Sequence, residues 1–367
     1  MKLQTRFIPF LALAILALLF AMWAGLLRLG WALPTLPTLA LAHGPLMISG
    51  FLGVLIPLER AVAINSPRNE YAGLPLRSRK WMFAAPLACG VGWVSLLFAP
   101  PLGGILMTLG SVVALFILIV MVRREPVIHT ITMAVGMAAW VIGNILWISG
   151  FPIYQLAHWW ICYLILTIGG ERLELSRVLR PTRGQIQIFG VLALALLAGT
   201  VLSMFNANWG ARLSGLVMLA LSLWFLKNDL AARNIRHPIP LTRYIAFCLF
   251  SGFIWMGIGG ILQLMYGATY AGPLYDAVLH TVFVGFVMSM IFGHAPIIFP
   301  AILGAPINFY PAFYGHLALL HLSLLLRVTG DLTNQVEIRK FGGLLNEVAI
   351  LMFLGMTVYS VLNRKSA

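Results

Sequence analysis

Three histidines in this sequence each follow an apolar segment that contains tryptophan and glycine. The segments 23–30, 140–150 and 255–267 precede His43, His158 and His280, which lie 115 and 122 residues apart in a chain of 367. Neutral imidazole binds iron and copper well, and two opposed imidazoles on separate helices can hold a haem inside a bundle. The types and spacing of these residues therefore predict a metal or haem site.

Each of these histidines also has an ordinary explanation. A single buried histidine could be hydrogen-bonded to a neighbour or face headgroup water, and tryptophan-glycine segments commonly serve close helix packing in membranes. The joint occurrence of three such units favours the ligand interpretation, because polar residues inside a membrane are costly and tend to be functional.

The composition indicates how such residues would be positioned. The chain is 61% hydrophobic and only 9% charged, whereas a soluble protein has about 25% charged residues. We therefore expect an integral membrane protein whose first apolar segment is a retained helix and not a cleaved signal peptide. Cys89, Cys162 and Cys248 stand singly inside apolar runs, and we interpret them as packing residues without a disulfide framework.

Apolar runs of about 20 residues are long enough to cross a bilayer as helices. They predict an all-α, polytopic membrane bundle of about twelve helices, forming a single domain over residues 1–367. The predicted spans are 7–29, 39–63, 80–99, 102–122, 127–150, 154–179, 186–204, 209–228, 242–266, 273–303, 308–327 and 341–362.

The basic residues predict the orientation of this bundle. With an inner N-terminus, 19 of the 24 lysines and arginines fall in inner segments, which favours cytoplasmic N- and C-termini in a bacterial-type inner (plasma) membrane. The net charge of +14 is then a topology signal with some contact to anionic lipid. A nucleic-acid partner is excluded on this basis, and the lipid bilayer is the expected surrounding.

The same order of features recurs at intervals of four helices, in span pairs 1–2, 5–6 and 9–10. This predicts three pseudo-repeats of four helices. Spans 2, 6 and 10 run in the same direction, which places His43, His158 and His280 about 6–10 Å below the outer edge at 1.5 Å per residue.

A second polar set is predicted nearer the inner face. It could serve a second cofactor, proton uptake or quinol contact, but the acids could equally form helix-end charge pairs such as Glu59 with Arg60 and Glu171 with Arg172. Asp276 and Glu347 look like isolated acids. The members of the second set are His294, His316, His129, Glu59 and Glu174.

Two spans are longer than a simple crossing. Span 6 continues as an amphipathic helix to Arg180, which we expect to lie at or beyond the headgroups. Span 10 contains Pro296 and Pro300, and a kink or break is expected near them.

Three segments carry a resemblance to a known family. The motif at 43–53, His-Gly-Pro-Leu-Met-Ile-Ser-Gly-Phe-Leu-Gly, resembles the helix-2 histidine motif of NnrS proteins, as does the opening Arg-Phe-Ile-Pro-Phe at 6–10. Span 10, from His280, is similar to their later histidine-rich helix. NnrS proteins are twelve-span, haem- and copper-containing membrane proteins linked to nitric oxide stress. More distantly, the architecture resembles subunit I of the haem-copper oxidases.

The resemblance implies specific roles for the three histidines. His43 and His280 would be axial ligands of a low-spin haem b, and His158 would match a copper ligand. The oxidase pattern is incomplete, because span 7 has no histidine and Val278 stands where the high-spin haem ligand would be. An oxygen-reducing centre is therefore not expected.

These observations predict a haem-binding membrane protein for electron transfer or nitric oxide handling, with a redox partner or quinol as electron donor. A secondary transporter or channel is an alternative of a different class. An accessory haem subunit of a respiratory complex, bound to other membrane subunits, is another.

Overall fold

The computed structural model describes residues 4–65, 76–304 and 307–363, with the side chains of 76–78 excepted. These residues form an all-α fold, without a β-strand among them. Four of the basic residues used to predict the orientation, Lys2, Arg68, Arg364 and Lys365, lie outside the described ranges.

Twelve long helices, α1 to α12, occur at the positions of the twelve predicted spans. In the described ranges, one short α-helix, Leu230–Asn234, and the 3₁₀ segments Thr5–Phe7, Leu76–Phe83 and Ser176–Leu179 are additional to them. The long helices are Ile8–Arg28, Ala40–Asn65, Ala84–Leu96, Pro100–Arg124, Ile128–Ile148, Ile153–Leu175, Arg183–Phe205, Ala207–Asn228, Pro240–Tyr266, Gly272–Leu303, Phe313–Leu332 and Val336–Leu362.

Nine of these helices are long and apolar enough to cross a membrane, counted over the described residues. The three that fall outside this group are α3, with 13 residues, and the histidine-bearing α6 and α11. Polar side chains within α6 and α11 lower their mean hydropathy. The helices establish an all-α polytopic membrane fold, as the sequence predicts.

The described residues divide into two compact units. The first comprises residues 4–163 and 298–304, and the second comprises 164–297 and 307–363. A cluster including Phe7, Leu11 and Leu58 forms part of the core of the first unit. Another cluster, including Trp255 and Leu324, forms part of the core of the second.

Each tryptophan-glycine segment ends its helix in the same way. Gly30, Gly150 and Gly267 follow the ends of α1, α5 and α9 and have φ angles of 83°, 88° and 67°. Glycine adopts this left-handed region without steric cost and is the usual residue just past a helix end. The three segments therefore share a structural role, which the predicted repeat requires.

Three helical hairpins pack through glycines that bring two backbones close together. In α3–α4, a Cβ on Gly103 would lie 2.5 Å from Leu96 Cα, and in α11–α12 one on Gly342 would lie 2.5 Å from the Arg327 backbone nitrogen. Small residues permit this close approach in membrane bundles. The glycines are Gly92 and Gly103 in α3–α4, Gly199 and Gly210 in α7–α8, and Gly330 and Gly342 in α11–α12.

Two helices depart from α-geometry. Residues Leu46–Leu52 of α2 and Thr281–Met288 of α10 form π-helix. The break that the sequence predicts near Pro296 and Pro300 does not occur, since α10 remains helical through both prolines to Leu303. The alternative of a kink within the helix stays a prediction. The departure from α-geometry in α10 lies about two to four turns before Pro296, at Thr281–Met288.

The predicted continuation of span 6 to Arg180 also needs correction. The α-helix ends at Leu175 and is followed by a 3₁₀ turn, Ser176–Leu179. Arg180 has a φ of 50°, and a non-glycine residue in this region ends a helix.

The hairpin packing predicts a sharp contrast between two glycines. Gly103→Ala should lower the unfolding temperature in detergent, because overpacking a close backbone contact costs about 1–3 kcal/mol. Gly355→Ala in α12, where a Cβ would meet nothing within 4 Å, should be neutral or stabilising by up to about 1 kcal/mol. Equal effects from the two substitutions would contradict the proposed packing.

Candidate functional site

His43 stands just before the π-helical segment of α2. It is half-buried, and its Nδ1 lies 2.8 Å from the carbonyl oxygen of Ala21 on α1. A carbonyl oxygen only accepts, so Nδ1 carries the proton and Nε2 keeps its lone pair. This is the arrangement by which proteins orient a histidine that binds metal through the other nitrogen.

His280 stands just before the π-helical segment of α10, in the second unit. Its Nδ1 lies 2.9 Å from the Asp276 carbonyl oxygen and 3.2 Å from the Asp276 carboxylate. Its Nε2 lies 3.2 Å from Nη2 of Arg327 on α11. A guanidinium has donors only, so Nε2 accepts this hydrogen bond and both nitrogens of His280 have partners.

The histidine-then-π-helix arrangement distinguishes two of the three predicted ligands. His43 is followed after two residues by Leu46–Leu52, and His280 directly by Thr281–Met288. His158 lies instead in the regular α-helix Ile153–Leu175. Since π-helical segments are rare and frequent at functional sites, His43 and His280 form one class and His158 another.

Polar side chains hold the π-helical segment of α2 in the first unit. Ser49 donates to Oδ1 of Asn144 on α5 at 3.1 Å and accepts from Nε1 of Trp140 at 3.0 Å. Trp160, two residues after His158, donates to the same amide oxygen at 3.2 Å. The π-helical segment after His43 and the helix that carries His158 are thus both bonded to one asparagine.

Asp276 is not the isolated acid that the sequence suggests. Arg327 donates to its two carboxylate oxygens from Nε at 2.7 Å and from Nη2 at 2.8 Å. Bidentate pairing of this kind is strong and geometrically specific. Arg327, predicted as an outer topology charge, is therefore a buried member of a cluster with Asp276 and His280.

The second predicted polar set is distributed over both units. His129 and Glu59 belong to the first unit, while His294, His316 and Glu174 belong to the second. His294 donates from Nδ1 to the Met290 carbonyl at 2.7 Å, and its buried Nε2 has no hydrogen-bond partner. The acids whose charges act on His294 are Glu171, three positions before Glu174, and Asp229.

His316 has a separate aromatic environment. Its ring is completely buried, its Nε2 lies 2.9 Å from the hydroxyl of Tyr244, and Phe292 and Phe353 contact it edge to face. The hydrogen-bond partner of His316 is therefore the phenol of Tyr244 on α9 and not a carboxylate of the predicted polar set.

Arg172 has its partner far along the chain. It donates from Nε and Nη2 to the two carboxylate oxygens of Asp229 at 3.0 and 2.7 Å. Asp229 also accepts from Ser176 and from the Ala231 backbone nitrogen. Sequence reasoning placed Glu171 beside Arg172 and missed Asp229, because 57 residues separate the two partners.

Among the described residues, no group of three or more histidine, cysteine, aspartate or glutamate side chains is arranged to hold a metal ion. A haem iron needs only one or two protein ligands. The absence of a three-ligand group from the described residues therefore concerns a copper site held by side chains, and it does not test haem binding. The three cysteines are buried and free.

The fold and these clusters define a polytopic, all-α membrane protein with buried histidines beside irregular helix segments. A family model described as a domain of unknown function, DUF8744, matches residues 6–362. The chain belongs to this family. No curated protein matches it.

The buried ion pair of Arg172 predicts a large loss of stability on truncation. The two side chains are 5% and 1% exposed, and Arg172→Ala leaves the Asp229 carboxylate without its counter-charge, at a cost of about 3–5 kcal/mol. Arg183→Ala, at an exposed position, is the matched control and should change the free energy of unfolding by less than about 0.5 kcal/mol. Thermal unfolding in detergent measures both, and similar losses would contradict a structural role for the pair.

Proposed function

We propose that this chain is a haem-binding membrane protein that serves electron transfer or nitric oxide handling. The observation that carries the proposal is the unit of a histidine followed by a π-helical segment, which recurs at His43 and His280 and not at His158. The resemblance of the same two motifs to NnrS proteins supports it independently.

His43 fits the role of a haem ligand. The bond from Nδ1 to the Ala21 carbonyl fixes the ring and leaves Nε2 as the nitrogen with a lone pair. Haem, when bound, would supply a one-electron redox couple. The contribution of the chain is to hold the imidazole in one tautomer and one orientation.

His280 fits the role of a haem ligand on the condition that its Nε2 gives up the contact with Arg327. Its Nε2 accepts from Arg327, so a bond from this nitrogen to iron would replace that contact. The Asp276 carbonyl and carboxylate hold the Nδ1 side in the same way as Ala21 holds His43. We propose His280 as a haem-binding residue of the second unit, with Arg327 released to the Asp276 carboxylate alone.

The remaining assignments follow from the sequence. We propose haem b as the haem type, a bacterial-type inner membrane with both termini cytoplasmic, and a quinol or other redox partner as electron donor. Copper at His158 is a further proposal, for which neighbouring side chains supply less support than for haem at His43.

Optical spectra of purified protein test the proposal. Protein from cells with adequate haem supply should show a reduced low-spin haem band, and His43→Gly should reduce the haem content roughly tenfold or more. Added imidazole should restore the band in His43→Gly, because it replaces the ligand and repairs no other contact. His280→Gly is predicted to behave in the same way.

His237→Gly is the control, since this histidine lies in the short loop between α8 and α9 and its Nδ1 accepts from the Ile239 backbone. Wild-type protein without haem would reject the proposal and favour the transporter or channel alternative. A haem band that survives both substitutions would show that other residues hold the iron.

A further inference from the structure

A cluster of charged side chains lies where the start of α10 meets the end of α11 and the start of α12, within the second unit. Asp276 and His280 come from α10, Arg327 and Asp331 from α11, and Arg339 from α12. Glu347 of α12 also interacts electrostatically with Arg327. The cluster has three carboxyl groups and two guanidinium groups.

The two aspartates of this cluster differ sharply in their bonding. Asp276 receives both arms of Arg327. The Asp331 side chain has 0% exposure, and neither of its oxygens accepts a hydrogen bond from an N–H or hydroxyl donor. The side chain that interacts with it directly is another carboxyl group, that of Asp276. The cationic atom nearest to Asp331, Nε of Arg339, is 3.9 Å away, which is too far for a hydrogen bond.

Close backbone packing keeps Asp331 away from water. A Cβ on Gly330, the preceding residue, would meet the backbone of Arg339, and one on Gly342 would meet the backbone of Arg327. The backbones of the two helices are therefore in close contact on both sides of the Asp331 turn.

An ionised Asp331 would be expensive at this position. A buried carboxylate needs a counter-charge and hydrogen-bond donors, and loses several kcal/mol without them. Arg327 is already paired with Asp276, and Nε of Arg339 lies 3.9 Å from Asp331, so neither guanidinium donates a hydrogen bond to the Asp331 carboxylate. A metal ion is disfavoured by the two guanidinium groups and by the lack of a three-ligand group in the described ranges.

We propose that Asp331 is a proton-binding site, protonated in the resting protein at neutral pH. One proton from water forms an O–H bond with the carboxylate, which removes the excess negative charge of the cluster. The titratable and charged groups that face it are Asp276 and His280 of α10, Arg327 of its own helix, and Arg339 and Glu347 of α12. The neighbouring helix α9 has one charged residue, Arg243, at its opposite end. This inference does not depend on haem.

Infrared spectroscopy of the full-length protein in detergent tests the proposal. The chain has only three aspartates, Asp229, Asp276 and Asp331, so ¹³C-labelling of aspartate side-chain carboxyls separates their bands from those of glutamate. We expect one protonated-carboxyl band at neutral pH that shifts on labelling and in D₂O. It should be converted to a carboxylate band in alkaline buffer and be lost in Asp331→Asn.

The wild-type spectrum alone can overturn the proposal. If labelling shifts only carboxylate bands at neutral pH, Asp331 is ionised. If a labelled protonated band is present but persists in Asp331→Asn, another aspartate carries the proton. Glu337→Gln, at an exposed position at the start of α12, is the control and should leave the band unchanged.

Thermal unfolding gives a second, independent result. Asp331→Asn replaces a neutral carboxyl by a neutral amide of the same shape, so its unfolding temperature should stay near that of the wild type. Asp276→Asn removes the counter-charge of Arg327 and should lower it clearly. An equally large decrease in both variants would show that Asp331 is ionised and would overturn the proposal.

Discussion

A helix that crosses lipid must satisfy its backbone hydrogen bonds within itself, because lipid supplies neither donors nor acceptors. The π-helical segments of α2 and α10 meet this constraint and still change the direction in which side chains point. An i→i+5 segment keeps each backbone group bonded but rotates the residues before it relative to those after it. His43 and His280 both stand just before such a rotation, so their orientation depends on Leu46–Leu52 and Thr281–Met288.

The scarcity of hydrogen-bond partners inside a membrane also explains why the buried polar side chains occur in pairs. Trp255 donates to Nδ1 of His321, Tyr244 bonds with His316, and Asn144 accepts from both Ser49 and Trp160. Each bond joins two different helices, so it fixes their relative register as well as satisfying a polar atom. An unpaired polar group in a low-dielectric interior is costly, and these bonds therefore select one packing among many apolar alternatives.

Much of the fold could be predicted from the sequence, because apolar runs and helix-ending glycines are local signals. Gly30, Gly150 and Gly267 follow the ends of their helices, although the sequence pattern indicated only packing and repetition for the segments that contain them. Less of the candidate site could be predicted from the sequence. The i, i+4 spacing of Asp276 with His280 and of Arg327 with Asp331 was available as a signal, but the pairing of Arg327 with Asp276 joins residues 51 apart. No local pattern reports which distant helix supplies a partner, or where α-geometry gives way to π.

Burial of two arginines also bears on the predicted orientation. Arg172 and Arg327 are held by Asp229 and Asp276, so neither acts as a free loop charge. Removing one from each side leaves 18 inner against 4 outer basic residues, and the orientation prediction is unchanged.

The two ion clusters differ in completeness, however. Asp229 accepts from a guanidinium, a hydroxyl and a backbone nitrogen, which makes it a static structural group. Asp331 lacks such donors, and a carboxyl whose bonding is incomplete is one that can gain or lose a proton without dismantling its surroundings. Chemistry in the second unit is therefore expected at the end where His280 also lies.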